Sequence, residues 1–310
     1  MKSVSRRGFG LASLAFLAAC QKRSEAAPSG PVPPARASDA TVGGTRLLDW
    51  TFDGAISTRT AILVPTWGGV DSRYPVLVAL HGRGEARKPP AEGALGWPRD
   101  YALGHAIERV ANPPLYPADF EGFIDAIRLS RANRVLVDHP FGGLVVVCPY
   151  LPDLELSDAA AVAAFGRFVV DDLLPRVRRE LPMVVAEPAA TGIDGVSLGG
   201  AVALSVGLDN PTSFGAVGCL QPALDVHDTA KWVLRAEAAR RANPKLALRL
   251  LTSDGDYFKE AVRATSLALH QAGVMHDYEE VIGPHDYPFN RGPGAIEMLL
   301  WQDRALRLHG

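Results

Sequence analysis

Short unbroken apolar runs alternate along this chain with longer stretches in which apolar residues recur every three or four positions. The run from Tyr74 to Leu80, centred on Val76-Leu77-Val78-Ala79-Leu80, has no polar face and predicts a strand covered on both sides. Leu144–Cys148, Thr191–Val196, Phe214–Leu220, Leu246–Thr252 and Tyr278–Ile282 predict further strands of this kind. Arg46–Asp53 and Arg59–Thr66 flank an Asp53-Gly54 turn and predict an antiparallel pair, which makes eight strands. Asp158–Leu181 carries Val162, Phe165, Val169, Leu173 and Val177 at helical spacing, with Pro175 as an expected kink. Leu198–Leu208, stopping before Asn210-Pro211, Lys259–Gln271, ending before Gly273, and Ala295–Leu308 predict three more helices. Strands alternating with helices predict an α/β fold, a roughly eight-stranded, mostly parallel sheet with helices on both faces. The stretch between Arg83 and Gly142 is too long for a single crossover and reads as crossover plus insertion, with helices near Tyr101–Val110 and Phe120–Ala132 around Asn112-Pro113-Pro114.

The first twenty residues follow a different pattern. Lys2, Arg6 and Arg7 precede an apolar run from Phe9 to Ala19, too short to span a bilayer, as a signal peptide requires. Ser5-Arg6-Arg7-Gly8-Phe9 resembles a twin-arginine export signal, although Gly10 stands where that signal usually has Leu. Leu17-Ala18-Ala19-Cys20 resembles the lipobox of bacterial lipoproteins, which implies lipidation of Cys20 and an extracytoplasmic protein anchored to a bacterial membrane on its periplasmic side, with Gln21 after the cysteine implying outer-membrane sorting. Residues 21–44, with Pro31-Val32-Pro33-Pro34, are too poor in core-forming side chains to fold and read as a disordered tether, leaving 45–310 as the folded domain.

Bulk composition narrows the function. The 310 residues carry a net charge of −2, so the bulk charge gives no sign of a basic field for nucleic acid. The three cysteines show no Cys-x-x-Cys or Cys/His ligand spacing, which argues against structural zinc. Cys148 and Cys219 fall on strands that are not neighbours, too far apart to bridge, so both are expected to be buried free thiols.

The most informative segment is Gly195-Val196-Ser197-Leu198-Gly199, a Gly-x-Ser-x-Gly between a predicted strand and a predicted helix. A sharp strand-to-helix turn there would lift the Ser197 hydroxyl out of the sheet. A serine hydroxyl is a weak nucleophile until a base takes its proton and an anion holds that base. Of eight histidines, His285 alone directly follows the last predicted strand, behind a Gly283-Pro284 turn. The acid is expected after a strand between the two; Asp256 in Ser253-Asp254-Gly255-Asp256 is favoured, with Asp254 and Asp225 as alternatives. Anion stabilisation calls for two backbone N–H groups. Leu198, after the serine, supplies one, and the Leu80-His81-Gly82-Arg83-Gly84 turn supplies the other, assigned to Arg83.

These pieces resemble the esterase branch of the α/β-hydrolase superfamily, which includes esterase D, feruloyl esterases, enterochelin esterase and the mycolyltransferases. The resemblance spans Pro75 to Trp301. It rests on Leu80-His81-Gly82, the helix Phe168–Pro175, Gly195–Ala201, Asn210–Val217, Gly255-Asp256-Tyr257-Phe258 and Gly283-Pro284-His285-Asp286. It implies an α/β-hydrolase fold and a serine esterase with Ser197, His285 and Asp256 as its triad. Small-molecule or carbohydrate-linked esters would be cleaved through an acyl-serine intermediate, without metal or organic cofactor. Acyl transfer by the same triad and a non-catalytic binding lipoprotein are the alternatives. Trp97, Arg99, Tyr101, Tyr116 and Phe120 of the insertion are candidates to line the pocket or to serve local packing.

Overall fold

A computed structural model describes residues 41–53 and 58–307. The export signal, Cys20 and most of the tether lie outside the described residues. Among the described residues the sheet has nine strands: β1 (Thr41–Val42), β2 (Thr45–Phe52), β3 (Thr58–Pro65), β4 (Val76–Leu80), β5 (Val145–Pro149), β6 (Thr191–Gly195), β7 (Ala216–Leu220), β8 (Ala247–Gly255) and β9 (Asp277–Pro284). Their order is β1-β2-β3-β5-β4-β6-β7-β8-β9. The first three are antiparallel, β3 runs antiparallel to β5, and β4 to β9 are parallel. The ninth strand is β1, which pairs Thr41 with Arg46 and falls at the end of the stretch read as tether.

Alternation along each strand feeds two cores. Val76, Val78 and Leu80 of β4 join Ile193, Val217 and Leu250 on one face. That face is covered by the helices Leu198–Asp209, Thr229–Ala242, Lys259–Gln271 and the segment 159–180. Leu77 and Ala79 join Val146, Leu220 and Leu251 on the other, under the helices Leu103–Ala111 and Ala295–Arg307. The helix predicted at Phe120–Ala132 lies instead at Ala126–Asp138. Glu121 (φ +51°) and Gly122 (φ +81°) take left-handed backbone that ends any helix at Phe120. The Asp125 carboxylate then caps a new one by accepting from the N–H groups of Ile127 and Arg128. Before Pro175 the chain takes a π-helical stretch, Phe168–Leu173, where a proline kink was expected. The helix Thr229–Ala242 has no counterpart in the sequence prediction. Its inner face is Trp232, Ala236 and Ala239, too weakly apolar to register. Cys148 and Cys219 are buried and free, on β5 and β7 with β4 and β6 between them.

Candidate active site

The parallel strands end together, and the loops beyond β4, β6, β8 and β9 meet at that edge. Ser197 follows β6 with φ +58° and ψ −118°, a strained conformation for a residue with a side chain. The strain is held from both sides. The Val196 N–H donates to the Leu80 carbonyl at 3.1 Å and the Ser197 N–H to the Leu220 carbonyl at 3.0 Å. The glycines let the helix pass close to the strands. A Cβ on Gly195 would lie 2.6 Å from the Gly199 carbonyl, and one on Gly199 would lie 2.4 Å from the His81 carbonyl.

His285, after β9, places Nε2 3.0 Å from Ser197 Oγ and Nδ1 2.7 Å from Asp256 Oδ1. Asp256, in the turn after β8, has a fully buried side chain, and His285 is 13% exposed. Asp256 Oδ1 also accepts from the Phe258 N–H at 3.0 Å, and Oδ2 from the Thr252 hydroxyl at 2.7 Å. The carboxylate thus faces His285 in one orientation. Tyr257 and Phe258 pack on the imidazole with ring centroids 5.0 and 5.5 Å away. Asp254 is engaged elsewhere and accepts the Gly283 N–H at 2.8 Å. Asp225 caps a turn by accepting from the His227 N–H.

Leu198 and Arg83 are the first residues of their helices, so no helical carbonyl takes their N–H groups. The turn holding Arg83 abuts the serine: a Cβ on Gly82 would lie 3.8 Å from Ser197 Cβ. The Arg83 guanidinium is turned toward the 153–155 segment, pairing with Asp153 at 3.2 Å and Glu155 at 3.1 Å. His81 is buried, donates from Nδ1 to the Gly82 carbonyl and accepts the Leu151 N–H on Nε2. Burial lowers its pKa, and the Gly82 carbonyl only partly opposes this.

The insertion's aromatic residues divide. Trp97 and Phe120 are core, Tyr116 is exposed, and Tyr101 reaches the site. Several supporting residues carried no motif. Gln221, with φ +43°, donates from its side chain to Ser253 Oγ at 2.6 Å and to the Pro284 carbonyl at 2.9 Å, beside His285. Glu85 and Tyr101, both buried, and the part-exposed Tyr287 form a cluster under the Gly82 turn. A glutamine after a strand and tyrosines in loops are common enough that no spacing singles them out.

The family model described as "Putative esterase" matches residues 157–290. No curated protein matches the sequence. A ferulic acid esterase superposes with a TM-score of 0.61 at 14% identity, covering 84% of this chain and 98% of its own. The ferulic acid esterase of Anaeromyces mucronatus gives 0.58 at 15% identity, covering 84% and 92%. The S-formylglutathione hydrolase of Agrobacterium tumefaciens gives 0.56 at 16% identity, covering 86% and 98%. With the strand order above and a serine on the turn after β6, this likeness establishes the architecture: the chain has the α/β-hydrolase fold.

Proposed function

We propose that the protein is a serine esterase that cleaves carboxylic esters through an acyl-serine intermediate. The supporting observation is the line of contacts Ser197 Oγ–His285 Nε2 at 3.0 Å and His285 Nδ1–Asp256 Oδ1 at 2.7 Å. In this reading His285 takes the Ser197 proton as the hydroxyl adds to the ester carbonyl. Asp256 fixes the tautomer with Nδ1 protonated and stabilises the imidazolium that forms. The negative charge on the former carbonyl oxygen is met by the N–H groups of Leu198 and Arg83, each such donor contributing about 100- to 1,000-fold in rate. His285 then gives its proton to the leaving alkoxide, and the alcohol departs. Water, deprotonated by His285, adds to the acyl-serine; the bond to Ser197 Oγ then breaks as His285 returns the proton to that oxygen, and the acid is released. The match to the esterase family model over 157–290 takes in all three side chains and supports the same chemistry.

The test is labelling with a fluorophosphonate probe alongside hydrolysis of p-nitrophenyl esters of increasing chain length. Wild type is expected to label at Ser197 and turn over; Ser197→Ala is expected to do neither. A folded wild type that stays unlabelled and inert refutes the reading. We further propose export and lipid attachment at Cys20, on the strength of Leu17-Ala18-Ala19-Cys20. Cys20→Ser is expected to abolish incorporation of labelled fatty acid in a bacterial host, and unchanged incorporation refutes it.

A further inference from the structure

Beneath the turn that abuts Ser197 lies a carboxylate that the proposed reaction does not use. Glu85 is 1% exposed. Its Oε2 accepts the Tyr101 hydroxyl, and its Oε1 accepts the Tyr287 hydroxyl. Lys88 Nζ stands 3.4 Å from Oε1 and 2.8 Å from Asp100 Oδ2, which supplies the balancing charge at the rim. The two tyrosine rings meet edge to face with centroids 5.5 Å apart. Burial, and then the neighbouring Glu85, raise the pKa of both phenols. Both therefore remain protonated at any working pH and donate to the carboxylate. Having donated its proton, the Tyr101 oxygen is free to accept. It takes the Gly82 N–H at 3.2 Å.

This chain of bonds has a geometric consequence. Gly82 cannot offer its N–H to a substrate, because Tyr101 holds it. The next N–H along the turn is that of Arg83. The height of the turn above the sheet is set by Tyr101, a residue of the insertion, through Glu85. The same carboxylate grips Tyr287, two residues after His285. One buried group thus ties together the turn facing the developing oxyanion, the insertion, and the loop that carries the base.

Resting on the esterase reading, we propose that Tyr101 and Tyr287, clamped on Glu85, are positioning residues that hold the oxyanion-binding turn and the His285 loop in mutual register. Misplacement of donors in such a site is expressed in the transition state more than in substrate binding.

The experiment compares wild type, Tyr101→Phe, Tyr287→Phe and the double variant. Two readouts are kcat and KM on p-nitrophenyl acetate, and affinity for a trifluoromethyl ketone, which adds to the serine and creates the oxyanion. Tyr101→Phe is expected to lower kcat about 10- to 100-fold, below the loss of a direct donor, with KM within about twofold. Ketone affinity should fall by the same factor as kcat. Tyr287→Phe, at a half-exposed site that leaves folding intact, is expected to lower both by about 3- to 10-fold. The double variant should lose less than the product of the single losses, because both hydroxyls act through one carboxylate. If Tyr101→Phe fails to fold, the Tyr287→Phe arm decides alone. Wild-type kcat and ketone affinity in the folded variants, a change confined to KM, or fully multiplicative losses would overturn the proposal while an active wild type keeps the esterase reading. A wild type inert toward ester and ketone overturns both.

Discussion

Gly199→Ala sets two effects of opposite sign against each other. The position lies in the first turn of the helix Leu198–Asp209, where alanine is the better helix former by up to about 1 kcal/mol. Against that, an added Cβ would lie 2.4 Å from the His81 carbonyl oxygen, 2.5 Å from the Leu80 carbonyl oxygen and 2.7 Å from the Leu80 carbonyl carbon. All three are backbone atoms at the end of β4, and none can rotate away. Over-packing typically costs about 1–3 kcal/mol, and three rigid contacts put this site at the upper end. The balance is a destabilisation of about 2 kcal/mol, roughly a 30-fold shift in the folded-to-unfolded ratio. Relief requires the helix to move off β4, which carries Ser197 away from the Gly82 turn, so kcat should fall as well. Gly166→Ala is the internal control. It too lies within a helix, but the nearest atoms its Cβ would meet outside its own helix are the Val206 methyls at 3.4 and 3.7 Å and the Asn210 amide at 3.8 Å, all at ordinary contact distance. There the propensity gain prevails, and stability should rise by about 0.5–1 kcal/mol. Urea unfolding followed by circular dichroism, with ester hydrolysis on the same samples, reads both variants. A Gly199→Ala protein as stable and active as wild type would refute the claim that close passage of helix over strand builds the serine turn.

Asp256→Asn is expected to lower kcat about 10,000-fold with the fold intact, whereas Asp254→Asn, which disturbs only the Gly283 N–H, should stay within about threefold; steady-state kinetics separates the two aspartates. Gln221→Met removes a donor from both Ser253 and Pro284 and should cost about 1–3 kcal/mol in urea unfolding, together with a loss of kcat. His81 makes stability depend on pH. Its folded pKa is depressed, so the unfolded chain binds the proton first, and stability falls as pH drops below about 6.5 and on through the folded value. Thermal melts at pH 7.5 and 5.5 should show a smaller acid loss in His81→Asn than in wild type. Cys148 and Cys219, both raised in pKa by burial, should resist Ellman's reagent in native protein and react once it is unfolded.

Much of this site was legible in the sequence because its elements sit where the sheet rules put them. Unbroken apolar runs such as Val76–Leu80 and Val145–Val147 have one reading, a strand buried on both faces, and they appear as β4 and β5. Once the strands are placed, the residues just past their C-terminal ends are fixed in space. Ser197 and His285 are placed by that, and the structure brings Ser197 Oγ within 3.0 Å of His285 Nε2 and Asp256 Oδ1 within 2.7 Å of His285 Nδ1. The choice between Asp254 and Asp256 was weaker: the sequence favours Asp256 but leaves Asp254 open. Both occupy one turn, and what separates them is that the Thr252 hydroxyl and the Phe258 N–H hold Asp256 toward the imidazole while Gly283 draws Asp254 away.

The supporting layer escaped for a physical reason of another kind. A hydrophobic face repeats along its own element, so its period is written locally. A polar cluster around a buried group is satisfied by partners from other segments: Tyr287 comes to Glu85 from near the other end of the domain, and nothing local to Tyr101, itself a candidate to line the pocket, names Glu85 as its partner. Nothing local marks Glu85 as buried, since a carboxylate in a short helix after a glycine turn ordinarily faces water. Its burial is tolerable only because two phenols and an ammonium converge on it. That convergence depends on the insertion returning Tyr101 to the sheet edge, a question of three-dimensional path. The insertion therefore has a structural role here that its sequence does not announce, completing the floor beneath the turn that faces the serine.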